Sequence, residues 1–149
     1  MGDRFHQVSH LQDRHGRRPG AGAGGLRELH WHPTADEWQY VIEGKVSVTL
    51  FGSHGRYRIE TLDTGDVGYV PQGYGHSIEN VGDTRCRVLI GFNSGHYEAI
   101  DLSMWIAGNP VDVLATNFSK PASLFERFPR ERAFIAPTET PSHGPREIK

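Results

Sequence analysis

Short apolar segments begin at Leu26 and recur along the chain as far as Phe92. They are rich in β-branched and aromatic residues, and glycine, proline or aspartate separates most of them, which is typical of strands joined by turns. Many short strands at close spacing indicate a β-sandwich or a small barrel. The segments read LRELHW, EWQYVI, KVSVTLF, RYRIETL, DVGYV, HSIEN and RCRVLIGF.

The pattern changes at residue 101, after which the sequence predicts short helices. Ser, Asp and Asn favour the position just before a helix, and proline favours its first position. On this basis three helices are expected, capped by Asp101, by Asn109 with Pro110 following, and by Ser119.

The two ends of the chain lack an apolar period. Residues 1–23 run into a glycine-rich stretch, and residues 136–149 contain three prolines and few apolar side chains. Such composition is typical of mobile segments. We therefore expect a flexible leader (1–23), a folded domain (24–135) and a flexible tail (136–149).

Composition narrows the classes of function. The chain has 149 residues, enough for one domain with a core, and a net charge of −2, which gives no electrostatic case for nucleic acid. No apolar run is long enough for a signal peptide or a membrane span, so we expect a cytoplasmic protein without a membrane partner. The single cysteine, Cys86, excludes a disulfide framework, and we expect it to be a small apolar residue in a strand.

Two histidines and an acid in the segment LHWHPTADEW are candidate metal ligands. His30 and His32 share one face of a strand because side chains alternate, and the turn at Pro33 returns Glu37 towards them. Further along, His76 follows a turn in GDVGYVPQGYGHSIEN. Three imidazoles and one carboxylate suit manganese or iron when octahedral and zinc when tetrahedral, so ligand chemistry alone leaves the metal open.

The spacing of these residues resembles a known family. One stretch has Gly24, five residues, His30-x-His32, four residues, Glu37, six residues and Gly44. A second has glycine, five residues, proline-x-glycine, two residues, histidine, three residues and asparagine, at Gly65, Pro71, Gly73, His76 and Asn80. These stretches resemble the two cupin motifs. The resemblance implies an all-β double-stranded β-helix, that is, a cupin or jelly-roll barrel, followed here by short helices.

Within the cupins, LRELHWHPTADEWQYVIEGK and GDVGYVPQGYGHSIENVGD are similar to oxalate decarboxylases, most of all to the second module of the two-module enzymes. The resemblance implies Mn(II), with Fe(II) or Zn(II) as alternatives, bound by His30, His32, Glu37 and His76. It also implies that oxalate and dioxygen are the small-molecule partners, and that oxalate is converted to formate and carbon dioxide.

Departures from the family pattern concern assembly and proton transfer. The leader replaces one or more strands that precede the first motif in the family, so we expect a missing edge strand. The chain has one module where the relatives have two, and we expect a homo-oligomer to supply the second. The position of the family's second carboxylate is Ile90, which cannot transfer a proton. Glu98 is the nearest candidate for the family's mobile acid, with a solvated loop residue as the alternative.

Arg27 resembles the family's arginine that holds the substrate carboxylate. Strict alternation from His30 and His32 would turn Glu28 inward in place of Arg27, so we expect a bulge or strong twist in this strand.

Three functions therefore stay open from the sequence. The first is a manganese-dependent oxalate decarboxylase with Arg27 and Glu98 as catalytic residues. The second is a germin-like oxalate oxidase, favoured by Ile90. The third is a metal-binding or assembly module without turnover. Formate, hydrogen peroxide or neither product would distinguish them.

Overall fold

Antiparallel strands are the main regular elements of the computed structural model, which describes residues 8–11 and 24–138. Helices are confined to the segment after residue 101. The strands are β1 Val8–Leu11, β2 Leu26–Trp31, β3 Glu37–Glu43, β4 Lys45–Phe51, β5 Tyr57–Asp63, β6 Val67–Val70, β7 Gly75–Asn80, β8 Cys86–Phe92, β9 Ile100–Asp101 and β10 Ile135–Ala136. The helices are α1 Leu102–Gly108, α2 Val111–Phe118 and α3 Ala122–Glu126.

The strands form two sheets that face each other across the core. One sheet has the order β1-β8-β3-β6 and the other β10-β2-β7-β4-β5, with β9 also pairing with β2. Alternating burial along β3 places Val41 inside, where it meets Val46 and Val88 from the two sheets. The all-β prediction is therefore confirmed, and the two packed antiparallel sheets match a cupin fold.

Cys86 is fully buried at the start of β8, as the sequence indicated. Burial, with a smaller contribution from the Glu43 charge, raises the pKa of its thiol to about 11. The side chain is therefore a neutral part of the core.

The expected missing edge strand is wrong. Strand β1 lies within the predicted leader and pairs with β8 from Val8↔Leu89 to Leu11↔Cys86. This pairing supplies partners for main-chain groups that would otherwise form an open edge of the first sheet. Strand β10 likewise places Ala136, the first residue of the predicted tail, in a ladder with β2. Most of the predicted leader and tail, including His6 and His15, lie outside the described residues.

The three predicted helices are present, but their predicted caps are largely wrong. Asp101 precedes α1 without a side-chain capping bond, and Glu28 Oε2 accepts from the Ser103 amide at 3.0 Å in its place. Asn109 follows α1, with Nδ2 donating to Trp105 O at 2.6 Å. Ser119 ends α2 in the left-handed conformation, and prolines occupy the positions before α2 and α3. Within residues 8–11 and 24–138, no helix is long and apolar enough to cross a membrane.

Candidate metal centre

Four predicted ligands meet between the two sheets. His30 lies on β2, His32 just beyond its end, Glu37 at the start of β3 and His76 on β7. Each residue is at most 3% exposed, and one potential ligand atom from each lies within 4.8 Å of all the others. Ligands on opposite sides of one ion with bonds of about 2.0–2.4 Å would be separated by a similar distance.

Strand pairing and one turn bring the histidines together. In the β2–β7 ladder, His30 is directly opposite His76. The turn before β7 contains Gly73 at a φ of +78°, a conformation that glycine adopts without the cost borne by other residues. The Gly73 amide donates to His32 O at 2.9 Å, so the two cupin-like segments are joined through the main chain.

Main-chain carbonyl groups orient all three imidazole rings. The Nδ1 atoms of His30, His32 and His76 lie 2.7, 2.6 and 3.1 Å from the carbonyl oxygens of Glu28, Glu98 and Tyr74. A carbonyl oxygen only accepts, so each Nδ1 carries the proton and donates it. In the neutral ring, Nε2 then presents a lone pair, which is the form that binds a metal.

Glu37 Oε2 faces two of these nitrogens. It lies 2.8 Å from His32 Nε2 and 3.2 Å from His76 Nε2. In spite of the short distance, His32 Nε2 has no hydrogen-bond partner of acceptable geometry among the described residues. A lone pair on nitrogen beside a carboxylate oxygen is repulsive, so the pair needs a cation between them, either a proton or a metal ion.

Electrostatics hold the cluster in its ligand form. Burial lowers the pKa of His30 to about 3, with help from the charges of His76 and Arg27, so this imidazole is neutral. Burial alone would raise the pKa of Glu37, but His32, His76 and Gln39 outweigh it and lower the pKa below its usual range. Three imidazole nitrogens and one carboxylate fit Mn(II), Fe(II) or Zn(II).

Gln39 is a buried part of the site that the sequence analysis missed. Its Nε2 donates to Glu37 Oε1 at 2.8 Å, which leaves Glu37 Oε2 directed at the histidines. Across the β3–β6 pair it lies opposite Gly68, where a Cβ atom would come within 2.7 Å of Gln39 Oε1. Residues two apart on a strand share a face, so the Glu37-x-Gln39 spacing could have indicated this contact.

Arg27 is buried and lines the cavity beside the cluster, as the resemblance implied. The expected bulge is confirmed, because the β2–β7 register shifts between Arg27 and His30. Arg27 Nη2 donates to Asp101 Oδ1 at 2.6 Å, and Asp101 Oδ2 accepts from Arg132. Burial would raise the pKa of Asp101, but the two arginines lower it, so an ionised carboxylate faces Arg27.

The two residues that bear on proton transfer lie apart from the cluster's polar groups. Ile90 is buried in the cavity wall on β8, opposite Gln39 in the β3–β8 ladder. The Glu98 carboxylate is 44% exposed and lies 3.5 Å from His96 Nε2. Only the main-chain carbonyl of Glu98 reaches the site, where it accepts from His32.

The cavity at the cluster has a volume of about 20 Å³, room for one water molecule. Aromatic and aliphatic side chains enclose the remaining space around the ligands. They are Ile78, Val88, Ile90, Phe92, Tyr97 and Phe134.

Comparison with known proteins agrees with this geometry. The Cupin family model matches residues 6–120, so the chain belongs to the cupin family. Within that family, the chain is similar to oxalate decarboxylases. It is 47% identical over 87 residues to oxalate decarboxylase OxdC of Bacillus subtilis, covering 58% of this chain and 23% of that protein.

A second relative and a solved structure extend the similarity. A probable oxalate decarboxylase of Arthroderma benhamiae is 34% identical over 113 residues, covering 75% of this chain and 28% of the relative. A structure of the Bacillus subtilis enzyme, described for its Mn(II) centres, superposes with a TM-score of 0.74 at 36% identity, covering 79% of this chain and 31% of that one. The chain thus matches between 23% and 31% of the length of these proteins.

Proposed function

We propose that this chain is a manganese-binding cupin that converts oxalate to formate and carbon dioxide. The buried cluster, with three oriented imidazoles around one ionised carboxylate, is the observation that carries the proposal. The similarity to oxalate decarboxylases, one of them studied for Mn(II) centres, favours manganese over iron or zinc.

The proposed reaction assigns roles to the residues in the cavity. Bound manganese would supply a redox-active Lewis acid for a carboxylate group. His30, His32, Glu37 and His76 hold the ion, and Gln39 holds Glu37 in its ligating orientation. Arg27 adds positive charge beside the cluster and so favours an anionic substrate.

The balanced reaction requires a group that delivers a proton to the retained carbon. Hydrogenoxalate gives formate and carbon dioxide when the C–C bond breaks and one proton moves to the carbon that is retained. Ile90 offers no proton, so we propose that the Glu98 carboxylate turns inward when substrate binds. The main-chain carbonyl of Glu98 already accepts from His32, so the side chain belongs to a residue that contacts the site.

Oxalate oxidation is the second candidate, and the buried Ile90 favours it. Without a proton donor, oxalic acid and dioxygen would give two carbon dioxide molecules and hydrogen peroxide, with two electrons passing from oxalate to dioxygen. A metal-binding module without turnover is the candidate from a different class. The small volume of the cavity favours it.

One incubation distinguishes the three. The manganese-loaded chain is incubated aerobically with oxalate at mildly acidic pH, and formate and peroxide are measured in the same sample. The control is His76→Ala carried through the same loading. Formate that depends on His76 supports the decarboxylase, peroxide alone supports the oxidase, and neither product with manganese bound supports the module without turnover.

We also propose that the chain forms a homo-oligomer, since the paired strands β3 and β6 expose four large apolar side chains, those of Trp38, Tyr40, Val67 and Tyr69. Light scattering of the purified chain measures its mass. A mass that stays at the 16.7 kDa of one chain across the accessible concentration range would contradict this proposal.

A further inference from the structure

Phe134 closes the cavity from the C-terminal side. It belongs to a strap, residues 132–136, that ends in β10 and pairs with β2 through Ile135↔Arg27. The Phe134 side chain lines the cavity together with His30, His32 and Glu37. Its φ of +51° lies in the left-handed region, which is unfavourable for a residue with a bulky side chain.

Hydrogen bonds from Glu28 hold the main chain of Phe134 in this conformation. The Phe134 amide donates to Glu28 Oε1 at 2.6 Å, and the Glu28 amide donates to Phe134 O at 3.0 Å. Glu28 is buried on the strand that carries His30, whose ring donates to Glu28 O. The strap is therefore attached directly to the strand that carries the candidate ligands.

Two arginines contact the ring of Phe134. The guanidinium carbons of Arg27 and Arg132 lie 4.4 and 4.6 Å from the ring centroid. Both arginines bind the same carboxylate, that of Asp101. Asp101 thus fixes the two cations, and the cations fix the ring by cation–π contact.

This arrangement restricts access to Arg27. The Phe134 ring covers a face of the Arg27 guanidinium. Arg27 Nη2 donates to Asp101 Oδ1, and Nη1 lies 3.5 Å from Phe134 O. The space left beside the cluster is about 20 Å³, so a carboxylate that reaches both the metal and Arg27 must displace the ring. A small planar anion requires less displacement than a longer dicarboxylate.

We propose that Phe134 is a specificity-determining residue that selects short carboxylates by size. The inference rests on the proposed metal site and deepens the proposed function, because it assigns the choice of substrate to a residue outside the ligand set. Two-carbon oxalate is admitted with a small rotation of the ring, whereas malonate and succinate are excluded while the ring is in place.

The test measures binding of carboxylates to the manganese-loaded full chain. Oxalate, malonate and succinate are titrated while the Mn(II) EPR spectrum and water-proton relaxation are recorded. Phe134→Ala and Phe134→Gly both remove the ring, and Phe134→Gly also relieves the left-handed strain. Phe128→Ala is the matched control, because Phe128 contacts Phe125 and does not line the cavity.

We expect the unmodified chain and Phe128→Ala to bind oxalate at least about tenfold more tightly than succinate, as steric selection in a pocket allows. Both Phe134 variants should reduce this ratio to about threefold or less through tighter succinate binding, with manganese content unchanged. Carboxylate binding seen only in the Phe134 variants would contradict the admission of oxalate past the ring.

Equal binding of oxalate and succinate by the unmodified chain would overturn the inference. So would unchanged selectivity in both Phe134 variants, or no response to any carboxylate in any variant. Manganese content and product formation are measured separately. A chain that selects oxalate as expected but makes neither formate nor peroxide would support the role of Phe134 and contradict the proposed reaction.

Discussion

The two sides of the cavity differ in polarity: one carries hydrogen-bonded polar side chains and the other carries apolar ones. On the side of β2, β3 and β7, the three histidines donate to main-chain carbonyl groups and Glu37 accepts from Gln39, so each candidate ligand is oriented by a hydrogen bond. On the side of β8, the positions opposite Glu37 and Gln39 are Phe92 and Ile90, and both are apolar. The candidate proton donor, Glu98, has a half-exposed carboxylate.

This difference separates binding from reaction. The candidate ligands lie on or beside strands whose register and hydrogen bonds fix each side chain, so a rigid set of ligands is already assembled. Proton transfer depends on a loop residue that must change its orientation. The same set of ligands is therefore compatible with a decarboxylase, an oxidase or an inactive module. The residues on the β8 side of the cavity decide between them.

Glu37→Gln should have the largest effect on the ligand side. The amide keeps the shape of Glu37, and its Nε2 can donate to the His32 Nε2 lone pair, so the metal-free chain should fold. Manganese affinity should fall more than about 100-fold, beyond the loss of about 10–100-fold typical of outer partners. The readout is the rise in Tm on adding manganese. A ligand at 100 times its Kd stabilises the folded chain by about 2.7 kcal/mol. A full rise in the variant would contradict the ligand assignment.

Gln39→Leu should have the next largest effect, because it removes the donor that orients Glu37. We expect manganese affinity to fall by about 10–100-fold, measured by competition with a chelator. Gln72→Leu is the matched control, since Gln72 is exposed and donates to Pro33 O at 2.7 Å. Equal affinities in the two variants would show that Gln39 plays no part in metal binding.

Ile90→Glu should change the products of the reaction without removing a metal ligand. The carboxyl group enters a buried apolar wall, so we expect a loss of stability of about 2 kcal/mol, measured by denaturant unfolding. The ratio of formate to peroxide should rise, because an acid now faces the cavity. Ile90→Gln has the same length but no acidic proton, and an equal product ratio in both variants would contradict this explanation.

Glu98→Gln should have the smallest effect on binding and stability. The main-chain carbonyl that orients His32 is retained, so manganese affinity should stay within about twofold. Loss of an exposed ion pair with His96 should change stability by less than about 0.5 kcal/mol. Formate production should fall while bound manganese is unchanged. Loss of manganese would mean that the side chain, and not the carbonyl, supports the metal site.

The cluster could be predicted from the sequence because strand alternation and turn chemistry act locally. His30 and His32 share a face by their spacing, and Gly73 permits the turn that positions His76. The bulge that turns Arg27 inward could be expected as well, since the parity of the strand conflicted with the motif.

What the sequence could not indicate depends on contacts distant along the chain. Asp101 has a typical helix-capping position, but its carboxylate is taken by Arg27, which lies 74 residues away. The pairing of β1 with β8 depends on an open sheet edge that no local pattern in the leader reveals. Phe134 is held at the cavity in part by Glu28, 106 residues earlier, which accepts from its amide.

Manganese stoichiometry in His76→Ala tests the central claim most directly. The unmodified chain, His76→Ala and His54→Ala are loaded with manganese, desalted and measured by elemental analysis. His54 is an exposed residue in the Ser53–Gly55 turn, so its loss should leave the cluster intact. We expect one manganese per chain in the unmodified protein and in His54→Ala, and almost none in His76→Ala. Stoichiometric manganese retained by His76→Ala would contradict the central claim.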